Sequence, residues 1–386
     1  MAIASSWLAR CTPSRRTGTD ALSLLPGCQP DMLTETTSFV GGRRPKILVM
    51  GDTRAVGHHG STLVMEAIVR ELANRGADAA IAGPVRSEFD VARLRTFDGV
   101  VINGEGALHV RSPKALLISQ FARRARDIGI PCFLVNTVID ECDEEVIQGF
   151  PALTGVFCRE PRSLERAKSY GATAKLCPDV TLAIETPKDI KWHAGEKVIV
   201  TDSTLGSVNK LLHAFARRTH AAFLPMRTRP QVPIFSSKKA FMRIVKYEVR
   251  HKIGNVLPGN FTADRFGCSV GSADAFLRAI AGGTKFIVSG RFHGACLAMR
   301  LGVPFLAVRS ITHKVESLLD DAQLSHKLID LETLKSTTRL DSLFAAATWS
   351  DADQARCRSY VANAQKAVAE CFDDVVAQIA VERARA

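Results

Sequence analysis

The run Lys285-Phe-Ile-Val-Ser-Gly-Arg-Phe-His-Gly-Ala-Cys-Leu-Ala-Met-Arg-Leu-Gly-Val-Pro-Phe-Leu-Ala-Val308 reads as strand, glycine-bearing loop, helix and second strand. Its first five residues form a short buried strand, a helix follows from about 293, and Pro304–Val308 closes the unit. Two apolar runs joined by a helix predict a βαβ crossover and a parallel sheet. Working outward, strands are expected at 197–201 and 221–225, with helices at 207–219, 236–252 and 272–281. A separate series lies upstream. It has strands at 46–50, 98–102, 131–136 and 154–158, and helices at 61–75, 112–128 and 160–170. Within 61–75, apolar residues at 64, 65, 68, 69 and 72 follow the helical repeat.

These two series predict an α/β fold with two Rossmann-like parallel-sheet domains facing across a cleft. The expected divisions are a disordered extension at 1–45, an N-terminal α/β domain at 46–185, a C-terminal α/β domain at 190–325 and a helical segment at 326–386. The stretch 181–196, with Pro187, Lys188, Lys191 and Gly195, is the expected linker. The final helix carries Val361, Ala364, Val368, Phe372, Val375 and Ile379 at spacings of three and four, a stripe that must pack on something. In open sheets of this kind, ligands bind beyond the carboxyl ends of the strands.

Composition narrows the class. Of 386 residues, 46% are apolar, which suits a globular core and excludes disordered, collagen-like and coiled-coil chains. No uncharged apolar run is long enough for a membrane-spanning helix. The ten cysteines are scattered, with no Cys-x-x-Cys pair and no zinc-like spacing, as expected of a chain in a reducing compartment. The expected location is cytoplasmic.

The net charge is +12, and 206–265 alone holds twelve cations against Glu248 and Asp264, a net of +10. In the 236–252 helix, Lys239, Arg243, Lys246 and Arg250 share one face, which suits an anionic membrane surface at the inner leaflet. Nucleic acid is not expected as a partner, because the basic stretch lacks aromatic stacking platforms. No metal site is expected, since no Glu and His fall at ligand spacing on one element.

Three loops at strand ends carry candidate chemistry: Gly51-Asp-Thr-Arg-Ala-Val-Gly-His-His-Gly60, Asn103-Gly-Glu-Gly-Ala-Leu-His109 and Ser289-Gly-Arg-Phe-His-Gly294. Glycines let the backbone approach a ligand closely. In the third loop Arg291 and His293 flank a helix start, placing a guanidinium and an acid–base group beside an anion site.

The stretch Ser289–Pro304 followed by Lys314 resembles the signature of the polysaccharide pyruvyl transferase family. Phe157-Cys-Arg-Glu-Pro-Arg-Ser-Leu-Glu-Arg-Ala-Lys-Ser-Tyr-Gly171, leading to Cys177-Pro-Asp179, resembles its middle motif, and Asn103–His109 its glycine-rich loop. Glu105 stands where many members have the middle of three glycines. The resemblance implies an arrangement similar to GT-B glycosyltransferases. It also implies transfer of a pyruvyl group from phosphoenolpyruvate to a sugar, giving a cyclic ketal and phosphate without a further cofactor. It assigns Arg291 to donor binding and His293 to acid–base catalysis, with Phe292 and Lys314 beside the donor. Glu105 is added here as a partner acid or base, and His58, His109 and Arg227 as substrate contacts. Whether His293 acts as acid or base stays open. A lipid-linked sugar acceptor would join this chemistry to the basic stretch. A glycosyltransferase using a nucleotide sugar, a non-catalytic sugar-binding protein and a basic peripheral protein are the competing readings.

Overall fold

The computed structural model describes residues 43–385 except 55–56, 86–88, 228–271 and 311. The basic helix expected at 236–252 and most of the extension expected at 1–45 lie outside the described residues. The first sheet holds β1 (Lys46–Met50), β2 (Asp78–Ile81), β3 (Gly99–Asn103), β4 (Ala107–Leu108), β5 (Cys132–Ile139), β6 (Gly155–Cys158) and β7 (Ala174–Leu176). Its order is β2-β1-β3-β5-β6-β7, with β4 paired to β5. The second sheet, ordered β12-β11-β10-β8-β9, holds β8 (His193–Val200), β9 (Ala222–Phe223), β10 (Gly282–Ser289), β11 (Phe305–Val308) and β12 (Leu328–Ile329). Every ladder in both sheets is parallel. Continuous apolar strands such as β3 and β5, buried along their whole length, are what helices on both faces of a parallel sheet require.

The helices begin where the sequence supplies caps. Ser112 accepts from the Ala115 N–H ahead of Pro113–Asp127, Glu160 from Arg162 and Ser163 ahead of Pro161–Ser169, and Ser272 from Ala275 ahead of Ala273–Ala281. The helix Phe292–Leu301 differs at its start. Its N-cap residue, Arg291, makes no side-chain cap bond, while its far end closes on Gly302 at φ 70°.

Both ends of the expected linker 181–196 belong to the fold. Val180–Ala183 is a 3-10 turn with Val180, Thr181 and Leu182 buried, and His193–Glu196 already belong to β8, where His193 pairs with Gly282 of β10. Leu328–Ile329, inside the segment expected to be helical, adds β12 to the second sheet. The closing helix, Asp351–Arg385, buries its whole apolar stripe, from Val361 to Ile379. It starts against the helix Phe292–Leu301, where Cys357 donates to the Met299 carbonyl, and ends against the first sheet, where Ile379 abuts Gly99 and Arg75 pairs with Asp373 at 2.7 Å. No helix among the described residues is long and apolar enough to cross a membrane.

Candidate active site

The carboxyl ends of the strands of both sheets converge on one cavity of about 230 Å3. Thr53, His58 and Ser61 come from the segment after β1, Glu105 follows β3, and Arg159 follows β6. The second sheet contributes Thr204 after β8, Arg291, Phe292 and His293 after β10, and Ser310 and Lys314 after β11. Arg227, beyond β9, pairs its backbone with His58, and the His59 N–H donates to the Met226 carbonyl at 2.9 Å. This is the crevice expected of parallel open sheets.

His293 is the second residue of the helix Phe292–Leu301 and is 7% exposed. Its Nε2 lies 3.4 Å from Asp179 Oδ2 without hydrogen-bond alignment, and its Nδ1 lies 3.9 Å from Glu105 Oε1. The ring meets His58 edge-on at 5.7 Å. A Cβ on Gly60 would come within 2.6 Å of the imidazole, so this position has no room for a side chain.

Glu105 is held from several sides. Thr53 donates to Oε2 and Ser61 to Oε1, each at 2.6 Å, while Lys114 Nζ donates to the Glu105 carbonyl. Burial alone would raise this carboxyl, yet His293, the two hydroxyls and Lys114 hold it below its ordinary value, so it is ionised at neutral pH. Burial and the neighbouring His293 drive His58 well below the usual histidine value, so it is neutral. Its Nδ1 accepts the Ser61 N–H at 3.3 Å and caps the helix His59–Asn74. Burial likewise brings His59 down to about 4, and its ring stacks on Phe276.

Cations dominate the remaining wall. Arg159 pairs with Asp179 at 2.7 Å, both side chains nearly inaccessible, and its guanidinium lies 4.7 Å from the Phe292 ring centroid. Arg291 pairs with Asp202, whose other oxygen accepts the Met226 N–H. The Nε atoms of Arg159 and Arg291 are both buried without a hydrogen-bond partner. Burial, with Arg159 nearby, lowers Lys314 to about 8.

Residues 58–310 match the model of the family described as polysaccharide pyruvyl transferase. The chain belongs to that family. Membership supports a role in pyruvyl transfer during polysaccharide biosynthesis, with a sugar or polysaccharide as acceptor. No curated protein matches this pyruvyl transferase family member in sequence. Among solved structures, it is similar to a functionally uncharacterised protein of Klebsiella pneumoniae, with 14% identity, TM-score 0.41, and coverage of 74% of this chain and 93% of that one. It is also similar to the spinosyn rhamnosyltransferase SpnG complexed with thymidine diphosphate, with 12% identity, TM-score 0.40, and coverage of 86% and 99%.

The structure brings Glu105, His58, Arg227, Arg291, Phe292, His293 and Lys314 together on this cavity. His109 does not join them. It is exposed, and its Nδ1 contacts the carbonyl of its neighbour Val110. Phe292 is 6% exposed and serves as a platform for the Arg159 guanidinium. Arg159 and Asp179 were not singled out by sequence reasoning. Their signal lay in the Phe157–Asp179 motif, since an Arg and an Asp at the ends of buried strands need each other. The structure also gathers His58, Glu105 and His293 from three elements, with ligand-capable atoms within 4.8 Å of one another. Sequence spacing on one element could not register such a trio. As arranged, Glu105 is already engaged by two hydroxyls and His58 Nδ1 by a backbone N–H, so a cation would have to displace protein bonds.

Proposed function

We propose that this protein transfers the pyruvyl group of phosphoenolpyruvate to a sugar of a polysaccharide or its lipid-linked precursor, forming a pyruvate ketal and releasing phosphate. The observation that carries this reading is the pairing of buried, unpartnered guanidinium N–H groups on Arg159 and Arg291 with His293 and Glu105 in one cavity. Buried donors seek acceptors, and a ligand with a carboxylate and a phosphate supplies them. Lys314 and the uncapped start of the Phe292–Leu301 helix add charge and backbone N–H groups for the same oxygens.

The reaction needs a proton delivered to the methylene carbon, which leaves an oxocarbenium-like C2. One sugar hydroxyl attacks C2 and loses its proton, phosphate departs, and a second hydroxyl attacks to close the ketal. Of the two hydroxyl protons, one balances that spent on the methylene and the other leaves with phosphate. Glu105, held ionised, fits the proton-accepting side, which leaves His293 to donate to the methylene.

Calorimetry with phosphoenolpyruvate tests the donor site. Arg291→Ala should weaken binding at least tenfold, because a bidentate charged fork is lost. Unchanged binding, or binding of nucleoside diphosphates but not of phosphoenolpyruvate, would replace this reading with the nucleotide-sugar one.

A pH dependence follows from Lys314. Its lowered value means that it is charged below about pH 8 and neutral above. Lys114, lowered to about 8 by burial, behaves alike behind Glu105. Donor affinity should therefore be highest below pH 8 and fall as pH rises through it, and Lys314→Arg should flatten that fall. A flat wild-type profile from pH 6.5 to 9.5 would count against Lys314 as a donor contact.

A further inference from the structure

A second cavity, of about 540 Å3, lies at the opposite end of the Phe292–Leu301 helix from His293. Ten residues at 1.5 Å rise separate the two ends by roughly 15 Å. Its walls come from three parts of the chain: 186–192, where the chain passes from the first sheet to the second; 299–302; and Trp349 with the early turns of the closing helix. This size falls within the range of small-molecule sites, roughly 300–1,000 Å3.

The lining has an unbalanced chemistry. Lys191, Arg300 and Arg358 line it, and no Asp or Glu does. Among the described residues, Arg300 donates only to the Ile184 carbonyl, Arg358 reaches only Gln354, and Lys191 is exposed without an ion pair, so none of the three charges meets a carboxylate there. Between them lie apolar surfaces of Trp192, Trp349 and Val361. Trp349 is 7% exposed, and its Nε1–H is buried without an acceptor. A buried indole N–H ordinarily finds a partner.

We propose that this cavity is a binding site, separate from the pyruvyl-transfer site, for an organic anion with an apolar body. Its aromatic or aliphatic part would pack against the two indoles, and its carboxylate, sulfonate or phosphate would meet Lys191, Arg300 and Arg358. Three uncompensated cations beside an apolar wall match the two halves of such a molecule, whereas a neutral sugar would leave the charges unmet.

The test uses 8-anilino-1-naphthalenesulfonate on the full chain. Trp192 and Trp349 are two of the three tryptophans, so energy transfer from indole to bound dye reports this cavity. The expected result is one saturable site with a Kd on the order of tens of micromolar, the affinity a dye-sized ligand supports. The double reversal Lys191→Glu with Arg358→Glu should weaken it at least tenfold. Trp349→Phe, which keeps an aromatic ring and removes the N–H, should weaken it several-fold. The uncharged N-phenyl-1-naphthylamine should bind equally to wild type and double variant. Saturating phosphoenolpyruvate should not displace the dye. Equal dye affinity in wild type and double variant would overturn the proposal, as would displacement by phosphoenolpyruvate.

Discussion

Replacing His293 with Gln is expected to lower turnover by about two to four orders of magnitude, the usual worth of one acid–base group. Its affinity for phosphoenolpyruvate should stay within a few-fold of wild type. The two effects separate because the imidazole sits between Glu105 and Asp179, while the cations proposed to hold the donor, Arg159, Arg291 and Lys314, are different residues. Gln preserves most of the volume against His58 and Gly60, so the neighbouring rings need not collapse. Phosphate release gives turnover and calorimetry gives binding. Full turnover in His293→Gln would remove this residue from the mechanism, and a parallel loss of binding would reassign it to donor recognition.

Asp179→Asn is expected to damage stability and turnover together. Asp179 is 1% exposed and accepts from Arg159 Nη1 at 2.7 Å and from the Thr181 N–H at 2.9 Å, beside His293 Nε2. Removing its charge leaves the Arg159 guanidinium buried and uncompensated, a loss of about 3–5 kcal/mol by analogy with other broken buried pairs. For a chain of this size that lowers Tm by about 4–6 °C. Replacing both members, Asp179→Leu with Arg159→Met, should restore much of the stability while turnover stays low. Recovery of stability alone separates the structural share of the Arg159–Asp179 pair from its share in turnover.

The same residue sets a pH signature. Burial alone would raise the Asp179 carboxyl, but His293, Arg159 and Thr181 hold it well below its ordinary 3.8. A folded value below the unfolded one means that the stabilisation is complete above about pH 4 and is lost as pH falls through the acid range beneath it. The stability gap between wild type and Asp179→Asn, measured by chemical denaturation, should therefore narrow between pH 5 and pH 3. A gap that stays constant would mean that the Asp179 carboxyl is no more acidic in the folded protein than in the unfolded chain.

Much of the architecture was legible along the chain. Lys46–Met50 is recovered residue for residue, and the strand at 285–289 extends three residues upstream, to Gly282. What was missed is short and half exposed. Asp78-Ala-Ala-Ile81 is exposed at both ends and half-buried between, and Ala174–Leu176 contains a lysine, so neither presents the apolar run that marks a buried parallel strand. Both flank the sheet interior, where one ladder and one covered face suffice.

The site divides along the same line. Arg291 and His293 stood out because a strand end, a glycine and a helix start are local features that three to ten residues can encode. His109 stood out for the same reason, yet the short strand Ala107–Leu108 carries it to the surface, off the cavity that holds Glu105.

By itself, the sequence determined that the chain builds two parallel αβ series with polar loops at the strand ends, because side-chain periodicity and caps act over a few residues. Only the tertiary structure decided which loops meet. Strand order sets the ends of β1 and β3 side by side with β6 beyond β5, loops of the second sheet meet them at the cavity, and the closing helix packs on the helices His59–Asn74 and Phe292–Leu301. That arrangement joins Glu105 to His293 and Arg159 to Asp179, because a buried charge is tolerated only where the fold delivers its partner.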